Sequence, residues 1–245
     1  MQLNILETAD ELGRRAAEEA AVWLRQQIGR QGKARVVLST GASQFAFFEH
    51  FVKQELDWTA VEMFHLDEYI GLPESHPASF RRYLRQRFVS RVPLRKAHLI
   101  DGEGDAARMI AELEAAAAEA PFDLGLIGIG ENAHIAFNDP PADFDTDTAY
   151  KIVDLDEDCK AQQVREGWFA TNADVPAQAI SMTVKQIMRC RRIISCVPGQ
   201  VKANAIQMTL ASELTPTVPA TMLKRHPEWS LYLDRASASL LPVAW

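Results

Sequence analysis

Apolar residues in this chain gather into short unbroken runs, and longer amphipathic stretches separate them from one end to the other. "ARVVLST" (Ala34 to Thr40), "AVEMFHLDE", "AHLI" and "FDLGLIGIG" show no in-and-out alternation. Such runs are expected of strands covered on both faces. "AISMTV", "RRIISCVP" and "SLYLDR" extend the series. Between them, "ADELGRRAAEEAAVWLRQQI", "QFAFFEHFVKQEL", "PASFRRYLRQRFV" and "DAARMIAELEAAAAEA" carry apolar residues at helical spacing. Thr8 and Glu11 form a T-x-x-E capping box ahead of the first of these. "DLDEDCKAQQVREGWF" predicts a helix whose acidic start suits the helix dipole. "KANAIQMTL" and "TMLKRH" are shorter helical pieces. Strands alternating with helices, without repeats or low-complexity linkers, predict a single α/β domain over residues 1–245. Its architecture is a Rossmann-like, mostly parallel sheet with helices on both faces.

Composition narrows the partners. A formal charge of −7 argues against nucleic acid or an anionic membrane as the principal partner. It leaves room for a small anion, because a few local cations and N–H groups suffice to bind one phosphate. No apolar run is long enough to span a bilayer, and "MQLNILETADELG" lacks the basic and apolar regions of a signal peptide. Cys159, Cys190 and Cys196 form no C-x-x-C pair, and an odd set of thiols reads as a reducing, cytoplasmic setting.

In an open α/β sheet, ligands sit beyond the carboxyl ends of the strands. Three polar clusters fall at such ends. "STGAS" (39–43) joins a strand to a helix. It is either an anion cradle of N–H groups and hydroxyls or a plain turn with Ser43 as N-cap. "HLDEY" (65–69) places Asp67 and Glu68 at a strand end, as a desolvated general base or as caps and ion-pair partners for a neighbouring helix. "GIGENAHIAFNDP" (128–140) holds His134, with Asn132 and Asp139 close in sequence. The imidazole there is either structural or catalytic, and in the second case Asp139 would orient it. His134 and Asp139 are five residues apart, with no H-x-x-x-H, Cys pair or carboxylate triplet, so the spacing predicts no metal. No G-x-S-x-G elbow is present, which argues against a serine nucleophile.

Taken together these segments resemble the glucosamine-6-phosphate deaminase/isomerase family, whose fold is shared with 6-phosphogluconolactonases. The resemblance rests on "LDEYIGLPESHPASF" (66–80), "GIGENAHIAFNDP", "VPAQAISMTV" (175–184), "VPGQVKANAI" around Lys202, and "VPATMLKRHP" (218–227), in the family's order. It implies an enzyme that opens an aminosugar phosphate ring, moves a proton between C2 and C1, and releases ammonia. By the same resemblance Asp67 is the proton-transferring base, His134 assists ring opening, and Asp139 is its acidic partner. Asn132 stands where the family has Asp or Asn. Ser39, Thr40, Gly41, Ala42 and Ser43 correspond to the phosphate loop and Lys202 to a phosphate-binding lysine. No cofactor or metal is implied, and relatives that assemble make a homo-oligomer an option.

Several positions depart from the family pattern. The loop reads "TGASQ" rather than T-G-G-T-P or T-G-S-T-P, and a Cβ at Ala42 restricts backbone that must approach a phosphate. Ala133 replaces the Gly before the His. Asp139 replaces a Glu and is one methylene shorter, which bears on its reach to His134. Gly167 stands where an Arg is usual, and Arg165 is the candidate to replace it. A sugar-phosphate lactonase is the alternative enzyme, although Tyr69 and "AFNDP" favour the deaminase side. A non-catalytic sugar-phosphate binder is the third reading. "NDPPADFDTDT" (138–148), rich in Pro and Asp, is a candidate mobile loop.

Overall fold

The computed structural model describes residues 1–242. Its first helix, α1 (Ala9–Gln31), forms where the sequence supplies both ends of the capping rule. The Thr8 hydroxyl accepts from the Glu11 N–H at 3.2 Å, and Gly32, at φ +73°, closes the helix by donating to the Ile28 carbonyl at 2.8 Å. Leu12, Ala16, Ala20 and Leu24 make one buried stripe along it.

Seven strands form the main sheet. They are β1 (Gln2–Leu6), β2 (Ala34–Leu38), β3 (Val61–His65), β5 (Lys96–His98), β6 (Leu124–Leu126), β9 (Ile193–Val197) and β10 (Trp229–Asp234). Their order is β1-β10-β9-β6-β2-β3-β5, and every pair is parallel. Alternate side chains feed two cores. Val36, Leu38, Met63 and Leu126 pack with α1, α2 (Phe45–Phe51) and α3 (Phe80–Leu84). Val37, Phe64, Ile193 and Val197 pack with α4 (Ala106–Ala118), α6 (Val184–Ile187) and α7 (Ala203–Ala211) on the opposite face. The expected Rossmann-like α/β architecture is what forms.

Several boundaries differ from the sequence reading, and those of β4 and of the loop after β6 matter most for the site. The run "AVEMFHLDE" is two strands, because Leu66 breaks it. β3 stays in the main sheet, while β4 (Asp67–Tyr69) joins a separate antiparallel sheet in the order β4-β8-β7. "AISMTV" belongs to β8 (Gln178–Met182) of that small sheet, and β7 (Tyr150–Asp154) had no forecast. "FDLGLIGIG" is a strand only over Leu124–Leu126, which leaves residues 128–134 free to curl into a loop. The acidic helix starts later than its sequence suggests, as α5 (Glu157–Arg165) capped by Asp156. "TMLKRH" is a 3-10 helix over Pro219–Arg225. The segment 138–148 holds no helix or strand but is tied at several points. The Ala142 N–H donates to the Pro216 carbonyl at 2.9 Å, and Asp143 accepts from the Asp145 and Thr146 N–H groups and from Lys151.

Strand order sets where a ligand can enter. From β2 the chain moves one way, to β3 and β5, and then returns to β6 on the other side of β2. The loops after β2 and β6 therefore diverge, which opens a crevice at their carboxyl ends. The loop after β2 is fixed from behind by α1. Gly13 lies so close to α2 that a Cβ on it would meet the Ala46 carbonyl carbon at 2.5 Å and the Phe47 nitrogen at 2.6 Å. We expect Gly13→Ala to destabilise the fold despite a gain of about 1 kcal/mol in helix propensity. Pushing α2 outward costs roughly 1–3 kcal/mol beyond that gain, read as a lower urea midpoint with an unchanged m-value.

Candidate active site

The crevice is a cleft of about 540 Å³. Ser39, Thr40, Gly41, Ala42 and Ser43 line it from the loop after β2, Asp67 from the start of β4, and His134 from the loop after β6. Lys202 enters from the loop after β9 and Arg165 from the end of α5. Every sequence-predicted site residue except Asn132 and Asp139 is thus on the cleft wall. Those two stand immediately behind His134.

Asp67 and Glu68 are consecutive on β4 and point to opposite sides, so the two readings of "HLDEY" divide between them. Glu68 is fully buried and caps α3. Its carboxylate accepts from the Tyr69 N–H at 3.0 Å, the Ser79 hydroxyl at 3.0 Å, the Phe80 N–H at 3.2 Å and the Arg81 N–H at 2.6 Å. Burial still raises the Glu68 carboxyl above its ordinary value, against the pull of these bonds. Asp67 is 6% exposed, and among the described residues it accepts no side-chain or backbone hydrogen bond through its carboxylate. Burial, followed by the neighbouring Glu68, pushes Asp67 up to about 8. The strand is pinned around it. Asp67 pairs with Ser181 of β8, and the Ser181 hydroxyl accepts from the Phe137 N–H at 3.1 Å, binding β4, β8 and the His134 loop into one unit. His65, just upstream, does not line the cleft. It is fully buried and held neutral, its ring pushed down to about 3 by burial and then by Arg81.

Small residues after β6 are explained by the imidazole. A Cβ at Gly130 would fall 2.2 Å from His134 Cε1, so the ring lies flat on a bare backbone. The Gly130 N–H donates to the His134 carbonyl at 2.9 Å, closing the loop. Ala133 takes φ +65°, the left-handed region in which the family's Gly is at ease, and Ala136 takes +51°. Behind the ring, Asn132 Oδ1 accepts from the His134 N–H at 3.1 Å, and Asn132 Nδ2 donates to Asp139 Oδ1 at 3.3 Å. His134 Nδ1 lies 3.1 Å from the same Oδ1, an ion-pair contact off the line of an ideal N–H···O bond. The shorter Asp139 therefore does reach the imidazole. Burial pushes the Asp139 carboxyl up, but the close contact with the His134 ring outweighs it and holds the group below its ordinary value.

Two loops of similar build face each other across β6. After β2, Gly41 adopts φ +99°, a 3-10 turn covers Ala42–Gln44, and α2 follows. After β9, Gly199 adopts φ +95°, a 3-10 turn covers Gln200–Lys202, and α7 follows. The positive φ falls on Gly41 and not on Ala42, so the Cβ at 42 meets no backbone restriction. Ser43 lies inside the 3-10 turn and is not an N-cap. Gln44, fully buried, splints the two loops by donating to the Cys196 carbonyl at 3.1 Å. The Gly199 N–H is held by Asp234, at 3.0 Å from each carboxylate oxygen. Lys202 is 6% exposed and makes no ion pair among the described residues. Burial lowers its pKa, while Glu166 and Glu131 nearby oppose that shift. Arg165, more than half exposed, pairs with Glu131 at 2.7 Å.

Sequence reasoning passed over Gly199, Asp234, Glu131, Gln162, Gln163, Glu166 and Trp168, all on the cleft wall. For Gly199 a signal existed: "VPGQVK" repeats the strand–x–Gly–turn arrangement of "LSTGASQ". The residues of α5 gave none, since only the fold lays that helix across the cleft.

Residues 7–231 match the family described as Glucosamine-6-phosphate isomerases/6-phosphogluconolactonase. Glucosamine-6-phosphate deaminase of Streptococcus pneumoniae serotype 4 (strain ATCC BAA-334 / TIGR4) is 36% identical over 213 residues, covering 86% of this chain and 89% of that protein. A monomeric glucosamine-6-phosphate deaminase of known structure superposes with a TM-score of 0.88 at 26% identity, over 98% of this chain and 100% of that one. The 6-phosphogluconolactonase of Trypanosoma brucei has a TM-score of 0.81 at 16% identity over 98% of each chain, a likeness of fold alone. A match spanning most of the sequence, with a relative this similar over most of its length, places the chain in the glucosamine-6-phosphate isomerase/6-phosphogluconolactonase family.

Proposed function

We propose that the protein converts glucosamine 6-phosphate and water to fructose 6-phosphate and ammonia, with the whole chain acting as one sugar-phosphate domain. One observation carries this reading. A desolvated carboxylate, Asp67, and an imidazole backed by a carboxylate, His134, open on a single cleft whose other wall has the build of an anion site. Deaminases among the relatives of this chain support the choice of substrate.

The chemistry follows from the positions. His134 takes the proton of the anomeric hydroxyl and delivers it to the ring oxygen, breaking the C1–O5 bond. Asp139 stabilises the transient imidazolium. Asp67 then removes the C2 proton while the C1 carbonyl oxygen takes up a proton given up by the ammonium group, which makes an enolamine; return of the Asp67 proton to C1 leaves an iminium at C2. Water adds there, and ammonia departs to leave the ketone. A base that carries one proton between adjacent carbons must be shielded from bulk exchange, and Asp67 is. The 39–43 loop and Lys202 hold the phosphate, with Arg165 at the mouth available to join them. Binding energy from that remote group positions the reacting carbons. No step requires a cofactor.

Incubation with glucosamine 6-phosphate should yield ammonia and fructose 6-phosphate in equal amounts, while 6-phosphogluconolactone should be hydrolysed no faster than in buffer. The opposite pattern identifies a lactonase, and binding without turnover of either identifies a sensor. Asp67→Asn should lower kcat by roughly 10²–10⁴-fold. Full activity in that variant would remove Asp67 from the mechanism.

The same carboxyl links activity to stability. Its folded-state pKa of about 8 lies above the ordinary 3.8, so the folded protein binds this proton more tightly than the unfolded chain does. The stability it contributes is complete below 3.8 and is lost as pH rises through about 8. The free-enzyme kcat/KM should climb over the upper part of that window as the base ionises. Differential scanning calorimetry should show Asp67→Asn gaining Tm over the native protein as pH is raised from 4 to 8, where each kcal/mol reads as roughly 2–4 °C.

Lys202→Met should raise KM by roughly 10–100-fold, as expected for loss of one charge-assisted bond to phosphate, with a smaller effect on kcat. Competitive inhibition by inorganic phosphate should weaken in parallel.

A further inference from the structure

Asp139 is held at one oxygen and bare at the other. Oδ1 takes the contacts from Asn132 at 3.3 Å and His134 at 3.1 Å. Oδ2 is buried and, among the described residues, has no hydrogen-bond partner, from sulfur as from nitrogen or oxygen. A carboxylate with a side chain 9% exposed is thus held through one oxygen only, and the imidazole beside it leans on that single anchor. The side chain that closes the gap comes from α5. Cys159 is 1% exposed, and its Sγ, a His134 ring nitrogen and an Asp139 oxygen all lie within 4.8 Å of one another.

Resting on the reading of His134 and Asp139 above, we infer that Cys159 is a positioning residue for ring opening: a small turn of the side chains brings its thiol, already within 4.8 Å of the pair, onto Asp139 Oδ2, where it fixes the carboxylate that aims the imidazole. It acts through Asp139 and does not touch the sugar, because neither residue lines the cleft.

Three further observations agree. First, the thiol is kept protonated and so able to donate. Burial pushes its pKa far above the ordinary value, and Asp139 and then Asp156 add to that. Second, Cys159 cannot drift. Its backbone N–H donates to the Asp156 carboxylate at 2.6 Å, which seats it in the first turn of α5. Third, the short reach of Asp139 leaves its carboxylate near the loop it comes from, so a donor has to approach from outside, and α5 supplies it. The groups facing Asp139 are His134 and Asn132 from its own loop and Asp156 and Cys159 from the start of α5, and Cys159 also feels the Asp67 charge. The remaining cysteines, Cys190 and Cys196, are buried in the two main cores, away from any of these groups.

The test compares Cys159→Ala with Cys159→Ser. With glucosamine 6-phosphate, the alanine variant should lose kcat by roughly tenfold at unchanged KM. The lower limb of its kcat–pH profile should move upward, because an Asp139 stripped of a donor holds the shared proton of the pair more tightly. Serine, which keeps a donor of similar size, should restore kcat to within about threefold and return the profile to its native position. Equal losses in both variants, or a native profile in the alanine variant, would overturn the inference.

A second measurement stands apart from turnover. The S–H infrared band of Cys159, assigned by its disappearance in Cys159→Ala, should shift when Asp139 is replaced in Asp139→Asn. An unmoved band means that the thiol does not bond the carboxylate, whatever the enzyme's activity. A moved band in a protein that turns over no aminosugar phosphate leaves the contact established and removes the proposed reaction instead.

Discussion

The site depends on keeping a carboxylate out of water without pairing it. A buried acid usually settles its charge by accepting hydrogen bonds or meeting a cation, and either would spoil it as a base. Here two neighbouring acids divide the tasks. Glu68 takes three hydrogen bonds from the start of α3 and one from the Tyr69 N–H of its own strand, and so anchors that strand. Asp67, held by the pleat on the other side of that anchored strand, takes none and faces the cleft. The antiparallel pairing with β8 makes this arrangement rigid, since a one-residue slip would exchange the two carboxylates. Asp67 thus depends on a three-stranded sheet that has little to do with the parallel sheet carrying the rest of the site.

That dependence explains how much could be read from the sequence. Alternating apolar runs and helical stretches identify the parallel α/β frame, because each strand and helix there is specified by nearby residues. Polar clusters at strand ends then locate Asp67, His134 and the 39–43 loop, and the family resemblance adds Lys202. The small sheet is different. β4 is three residues long and pairs with residues more than a hundred positions away, Asp67 with Ser181, so no local periodicity announces it. β7 is short and half exposed, and β1 is a five-residue edge strand whose "QLNIL" carries no run of its own. The break at Leu66 was hidden for the same reason: "FHLDEY" reads as continuous strand until the partner of each half is known.

Glycine usage shows the same division between local and long-range information. Gly41 and Gly199 sit in turns whose positive φ the local sequence announces, strand first and helix after. Gly130 has no such signal, because the atom that would collide with a Cβ there belongs to a ring that only the folded loop lays over it. In the same way, α5 reads as an ordinary acidic helix. Its place across the cleft, with Gln162 Oε1 accepting from the Glu131 N–H at 3.2 Å and Arg165 paired to Glu131, is a tertiary fact.

Net charge gave the least guidance, and the structure shows why. On the proposed reading a chain of −7 recognises an anion because charges on the distant surface are screened within roughly 8–10 Å in physiological salt. What counts is the immediate wall of the cleft, and there the proposal leans on Lys202. It is 94% buried in effect, at 6% exposure, and its charged form is disfavoured by burial while Glu166 and Glu131 hold it up from a distance. A buried cation without a direct partner is a standing cost to the folded state. An anion that reaches Lys202 relieves that cost. Part of its affinity therefore comes from strain already present in the protein, and a neutral sugar of the same shape, having no charge to place there, would recover none of it.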